Sequence, residues 1–358
     1  MKKIILATAS LLALIFPFEA KAATFDKIYV FGDSLSDTGN VFTVTTVANR
    51  LNPTIPVDPP SPPYFNGRYS NGPVWVDYLA NSLGSTLTPS TNLAVGSPIT
   101  LTPTGDLGVN FFFNGATTTQ GVNFAFGGAT SGLNNASDPR LPGVLREVQA
   151  FTNDLTLANQ PADPQALYVV WAAGSNDYSS GNLNSTIFAE NISQGVTSLF
   201  DVGARNILVV NVPDLGQTPR ARRIGDANAR TQVSQEFNAS LTTTLNNLSQ
   251  TLPGINLIPF DVNSIFAEAI ANPTRFGFTN VTEPCLNTVN FTICSNPNEY
   301  LFWDDIHPTT VTHRFLGELV FERLASKPQS VPEPASTVSL GMVMLLWMLR
   351  NRQVKSKM

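Results

Sequence analysis

The chain reads as an α/β protein: a five-stranded parallel sheet with helices on both faces. Two observations predict this. Short apolar runs alternate with helically spaced segments through the whole body, the pattern of strand–helix–strand units. The runs at 166–173 and 207–212 are continuously apolar, the mark of strands buried on both faces. Ile28–Phe31 is the first strand, closed by Gly32. Six prolines between Pro53 and Pro63 exclude helix and central strand there and mark an extended loop inserted after it. Val74, Tyr78, Leu79 and Leu83 have helical spacing. Residues 84–120 are rich in Thr, Gly, Asn and Pro and read as loop or short hairpin. Their one apolar knot, Phe111-Phe112-Phe113, is either a core contact or a substrate-facing lid. Val122–Phe126 is the second strand and ends in Gly127-Gly128, followed by a helix over 141–155. Ala166–Ala173 is the third strand, 187–200 a helix and Ile207–Val212 the fourth strand. Val233, Phe237, Leu241, Leu245, Leu248 and Leu252 form one stripe of a long helix. Ile255–Phe260 is the fifth strand, and Val311, Phe315, Leu319 and Leu324 line a final helix.

Composition excludes several function classes. Only 13% of the 358 residues are charged, about half the usual share of a soluble domain. Seven of the 21 Lys and Arg sit at the two ends with two of the acids, which leaves 14 basic and 24 acidic residues, a net of −10, between. A body this acidic lacks the basic footprint of a nucleic-acid binder. Two cysteines and two histidines, with no H-E-x-x-H, allow neither a zinc finger nor a zinc protease. No metal or cofactor is implied.

The two ends read as addresses. Residues 1–22 form a secretory signal: Lys2 and Lys3, an apolar run from Ile4 to Phe16, and a small-x-small site at Ala20-Lys21-Ala22. The run is short for the alternative, a membrane anchor. Export permits a disulfide, and Cys285 and Cys294 can close a small loop or remain two free thiols. At the other end, Val331-Pro332-Glu333-Pro334-Ala335 precedes an apolar stretch, Val338–Leu349, and then Arg350, Arg352, Lys355 and Lys357. This tail resembles the PEP-CTERM sorting signal of Gram-negative bacteria, with a plain C-terminal anchor as the alternative. The resemblance implies processing by signal peptidase and exosortase, transient membrane association through residues 331–358, and work in the cell envelope or outside the cell.

In parallel sheets chemistry gathers at the carboxyl ends of the strands. There this sequence carries Gly32-Asp33-Ser34-Leu35, then Asn123-Phe124-Ala125-Phe126-Gly127-Gly128, then Gly174-Ser175-Asn176-Asp177. Asp304-Asp305-Ile306-His307-Pro308 lies just before the last helix. A serine on a strand-end turn needs a base. His307 is a candidate; Asp304, three residues upstream, can bond its Nδ1 and leave Nε2 free for the serine proton. His313 lies within the final helix and reads as a surface or packing residue. Glycine N–H groups and an asparagine amide suit a developing oxyanion, and Gly128 and Asn176 supply them. Gly-Gly can equally be turn chemistry, and Asn176-Asp177 a helix cap. No Gly-x-Ser-x-Gly elbow occurs, which excludes an α/β-hydrolase.

The four blocks together resemble those of the SGNH/GDSL hydrolases. Gly67-Arg68-Tyr69-Ser70-Asn71-Gly72-Pro73-Val74-Trp75 is similar to a segment of their lipase-like branch. The resemblance spans roughly residues 26–325, leaving a domain of 23–330 between the two addresses. It implies a flavodoxin-like three-layer α/β/α sandwich and an esterase or lipase working through an acyl-enzyme. Ser34 would be the nucleophile, with an oxyanion hole of the Ser34 N–H, the Gly128 N–H and Asn176. His307 would be the base and Asp304 its partner, with Asp305 solvated. The expected substrate is an ester, of a lipid or of an acylated carbohydrate. The rival readings are a lipid acyltransferase or phospholipase, and a non-catalytic surface protein associated with exopolysaccharide.

Overall fold

The structure, a computed structural model, describes residues 25–101 and 107–326. The predicted signal and sorting segments lie outside these residues. Six parallel strands make the central sheet: β1 (Ile28–Gly32), β2 (Thr88–Pro89), β5 (Val122–Asn123), β6 (Leu167–Trp171), β7 (Asn206–Val210) and β8 (Asn256–Phe260), in the spatial order β2-β5-β1-β6-β7-β8. The five predicted strands are present. The sixth, β2, is a two-residue edge strand with no apolar run to announce it. Without it the order is the flavodoxin-like one, which reverses at β1.

β1 and β6 are buried at every residue and β7 at all but Asn206, which is why they read as unbroken apolar runs. β8 is the opposite edge, part exposed, and tolerates Pro259 because an edge strand has a free N–H side. Alternation within the strands splits the core. Tyr29, Phe31, Tyr168, Val170 and Val209 share one apolar cluster with residues of α3 (Val144–Ala158), α5 (Ser185–Asp201) and α7 (Ala227–Thr251). On the other face Trp75 of α2 (Trp75–Leu83) meets Trp171 edge-on with ring centroids 5.5 Å apart, beside Leu316 and Val320 of α10 (Thr310–Ala325). The result is the three-layer sandwich.

Helix α1 (Asn40–Leu51) stands between β1 and the proline tract, where the sequence predicts no helix. Val41, Val44 and Ala48 turn one face inward, and Asp37 accepts the N–H groups of Gly39, Asn40 and Val41 at its start. The proline tract then runs without regular structure to Tyr64 and Tyr69. Strands β3 (Ile99–Leu101) and β4 (Leu107–Val109) form the short hairpin expected within 84–120. Phe113 is buried in the main cluster, Phe111 packs on it and Phe112 is exposed. None of the three lines the cavity described below, so the knot is core contact and not a lid. Near the C-terminal side, β9 (Asn280–Pro284) pairs with β12 (Tyr300–Phe302), while β10 (Leu286–Asn287) and β11 (Thr292–Ile293) form a hairpin closed by a Cys285–Cys294 disulfide. Among the described residues no helix is long and apolar enough to cross a membrane.

Candidate active site

The carboxyl end of β1 is crowded. A Cβ on Gly32 would sit 2.7 Å from the Trp171 carbonyl of neighbouring β6, so only glycine lets the chain leave the sheet there. Asp33 and Ser34 follow. The Asp33 carboxylate accepts the Leu35 N–H at 3.0 Å and, across the sheet, the Ala173 N–H at 2.9 Å. Ser34 is thereby held on a tight turn at the sheet's reversal point, half-buried, facing a cavity of about 300 Å³.

His307 reaches the same point from the loop between β12 and α10. Its Nε2 is 2.8 Å from Ser34 Oγ, and its Nδ1 is 2.8 Å and 3.0 Å from the two oxygens of Asp304. A ring nitrogen facing only a carboxylate carries the proton, so Nδ1 donates and Nε2 accepts from the serine hydroxyl. Asp304 is buried and also accepts the N–H groups of Ile306 and His307, and the Tyr64 hydroxyl at 2.6 Å. Burial works to raise its pKa, but the His307 charge and these hydrogen bonds hold it below the ordinary carboxylate value. Burial likewise works to depress His307, yet Asp304 outweighs it and the imidazole sits above its ordinary value.

Gly128 and Asn176 line the same cavity. Gly128 has φ +83°, and a Cβ there would come within 2.4 Å of Asn135 Oδ1. Among the described residues the N–H groups of Ser34 and Gly128 bond to no protein acceptor. Asn176 donates one amide hydrogen to the Ala129 carbonyl at 2.9 Å, which fixes the side chain and leaves the other hydrogen uncommitted. Asn176 lies inside α4 (Ser175–Ser179) and is not its cap. The arrangement offers a hydroxyl with a base at hydrogen-bond distance and three donors on one cavity, the parts acyl transfer requires.

A model of the family described as GDSL-like lipase/acylhydrolase matches residues 28–320. The chain belongs to this GDSL family. It is an ester hydrolase by that membership. Among its relatives are a phosphatidylcholine-sterol acyltransferase of Aeromonas hydrophila, 27% identical over 89% of this chain and 96% of the relative. A GDSL esterase/lipase of Arabidopsis thaliana is 28% identical over 84% and 89%. Of solved structures, a carbohydrate acetylesterase from Sinorhizobium meliloti aligns with a TM-score of 0.45 at 15% identity, covering 84% of this chain and 98% of that one. An aryl esterase of M. smegmatis gives 0.44 at 16%, covering 83% and 97%.

The GDSL site contains residues the sequence does not reveal. Glu147 of α3 is fully buried and accepts the N–H groups of Gly32 and Phe126, at 2.8 and 3.1 Å, clamping the serine turn to the glycine turn. Asp37 adds a second clamp through the Gly127 N–H at 2.9 Å. Burial pushes Asp33 and Asp37 each up to about 6 and Glu147 well above its usual value. Tyr69 lays its ring 5.1 Å from the His307 ring. Of the remaining expected residues, Asp305 is not simply solvated: it pairs with Arg223. His313 is fully buried, with no partner for either ring nitrogen among the described residues. Burial and then the charge of His307 push it down to about 3, so it is a neutral packing residue, not a surface one.

Tyr64→Phe removes one charge-assisted hydrogen bond from Asp304 and nothing else polar. Such bonds contribute ~1.5–3 kcal/mol, so kcat on p-nitrophenyl butyrate is expected to fall about tenfold, with KM little changed. An unchanged kcat would show that Asp304 is held by its backbone donors alone.

Proposed function

We propose that the chain hydrolyses carboxylic esters with Ser34 as nucleophile, His307 as base and Asp304 as the residue that fixes the imidazole. The observation that carries this reading is the unbroken path from Ser34 Oγ through both His307 nitrogens to Asp304, opening on a cavity with uncommitted donors. Ser34 Oγ attacks the ester carbonyl while its proton passes to His307 Nε2. The carbonyl oxygen becomes an oxyanion held by the Ser34 and Gly128 N–H groups and the free Asn176 amide hydrogen. The imidazolium then protonates the leaving alcohol, and an acyl-Ser34 remains. Water attacks it, giving its proton to His307, and the second collapse returns the proton to Ser34 and frees the acid.

Residues 1–22 and 331–358 are proposed to send this domain through signal peptidase and an exosortase to the cell envelope or medium. An alcohol in place of water would make the same acyl-enzyme a transferase, the reaction named for the Aeromonas hydrophila relative. Product analysis in the presence of a competing alcohol separates the two.

The test is a panel of p-nitrophenyl esters from acetate to palmitate, run beside labelling with a fluorophosphonate. Turnover and a single adduct on Ser34 are expected, and the chain-length profile separates a carbohydrate esterase from a lipase. Folded protein with neither would overturn the reading in favour of a binding protein.

A further inference from the structure

The hairpin of β10 and β11 carries Val289, Phe291 and Ile293 at 91%, 53% and 50% exposure, within the nine-residue span of the disulfide. Single exposed apolar side chains need no explanation; three on one braced tip do. The tip's backbone is prepared for an apolar medium. Asn287 accepts the N–H groups of Val289 and Asn290, and Asn290 accepts that of Thr292. At its base the Leu286 and Cys285 N–H groups bond the carbonyls of Trp303 and Phe302, which lead directly into Asp304.

Thr288 of this tip shares a surface hollow with Ile224, itself 51% exposed at the end of α6 (Pro219–Ile224), and with Arg220 and Arg223. The hollow reaches Asp304 and His307, and Arg220 also lines the catalytic cavity. Helix α6 brings Arg220, Arg222 and Arg223 together on an acidic body, with Asp304 and Asp305 facing Arg220 and Arg223 in the same hollow. Arg223 is matched by Asp305, but Arg222 meets only the neutral Gln217, and the Arg220 guanidinium has no side-chain partner among the described residues. An apolar tip flanked by unmatched arginines, on an otherwise acidic protein, complements an anionic apolar interface.

We propose that this hairpin and the end of α6 dock on an anionic lipid surface and so hold the mouth of the catalytic cavity against it. The inference rests on the ester-hydrolase reading for the purpose of docking, not for the docking itself. In the full chain both native cysteines are bonded, so Val289→Cys supplies a single thiol for an environment-sensitive nitrobenzoxadiazole label. With vesicles of phosphatidylglycerol and phosphatidylcholine (3:7, a composition chosen for its negative charge) the emission is expected to rise about threefold and to be quenched by nitroxide-bearing acyl chains. The rise should be smaller with phosphatidylcholine alone and in high salt. The triple variant V289S/F291S/I293S is expected to hydrolyse soluble p-nitrophenyl butyrate as the parent does. On a long-chain ester embedded in the anionic vesicles it should lose about tenfold, since buried apolar area sets interfacial affinity. Unchanged emission with both vesicles, or a rise that depends on protein concentration without lipid, would overturn the proposal; the latter gives the patch to a second copy. Failure of the parent on p-nitrophenyl butyrate would sink the hydrolase reading alone, because the label still reports docking.

Discussion

Ser34→Ala is expected to lower kcat on any ester substrate by about 10⁴-fold or more, with the fold intact. The size follows from what is removed. Among the described residues Ser34 Oγ is the only nucleophile within hydrogen-bond reach of His307 Nε2, so on the proposed mechanism no acyl-enzyme forms without it. The donors on Gly128 and Asn176 remain, and with them only the residual advantage of a water attacking a bound, polarised ester. Stability should be nearly untouched, within ~0.5 kcal/mol. The hydroxyl is half-buried at the cavity and makes no hydrogen bond to the sheet, whereas the turn is held by Asp33 and Glu147 through backbone groups that alanine keeps. An unchanged melting temperature beside lost turnover is the expected pair of measurements. A folded variant within tenfold of the parent would remove Ser34 from the chemistry. Ser36, two residues on, is the control: it is buried and accepts the Trp75 indole N–H at 3.1 Å, so its loss should cost stability.

Much of this site is written where a linear reading can find it. Ser34, Gly128 and Asn176 each follow a strand, and burial on both faces makes β1 and β6 conspicuous. Asp304 and His307 are three positions apart, so their pairing is local. What escapes is of two kinds. Helix α1 escapes because Val41, Thr43, Val44, Thr45, Thr46 and Val47 are β-branched, a composition with low helix propensity; packing of Val41, Val44 and Ala48 overrides it. Strand β2 escapes because two residues ending in proline carry no periodicity. Tyr64 and Glu147 escape because their partners lie 240 and 115 positions away. A tyrosine after a proline pair and a glutamate on an amphipathic helix look like surface residues until the fold buries them against Asp304 and Gly32.

Asp304→Asn should be nearly as damaging, and its pH profile says why. The amide keeps the shape but cannot accept on both sides, so it no longer selects the tautomer that leaves Nε2 free; a fall of about 10⁴ in kcat is expected. The second consequence has a definite sign. On the proposed mechanism turnover needs His307 neutral, so the rate of the parent is expected to fall as pH drops through the His307 pKa. That pKa stands above 6.5 because the Asp304 charge and hydrogen bond outweigh burial. With the charge gone, burial prevails and the imidazole gives up its proton at lower pH. The acid limb of the residual activity is therefore expected to move down relative to the parent. Contaminating parent enzyme, or a partly unfolded variant, would keep the limb where it was. Asp305→Asn serves as the comparison: its carboxylate pairs with Arg223, so both the rate and the acid limb should stay close to the parent. If instead Asp305→Asn moves the limb and Asp304→Asn does not, the partner of His307 has been misassigned.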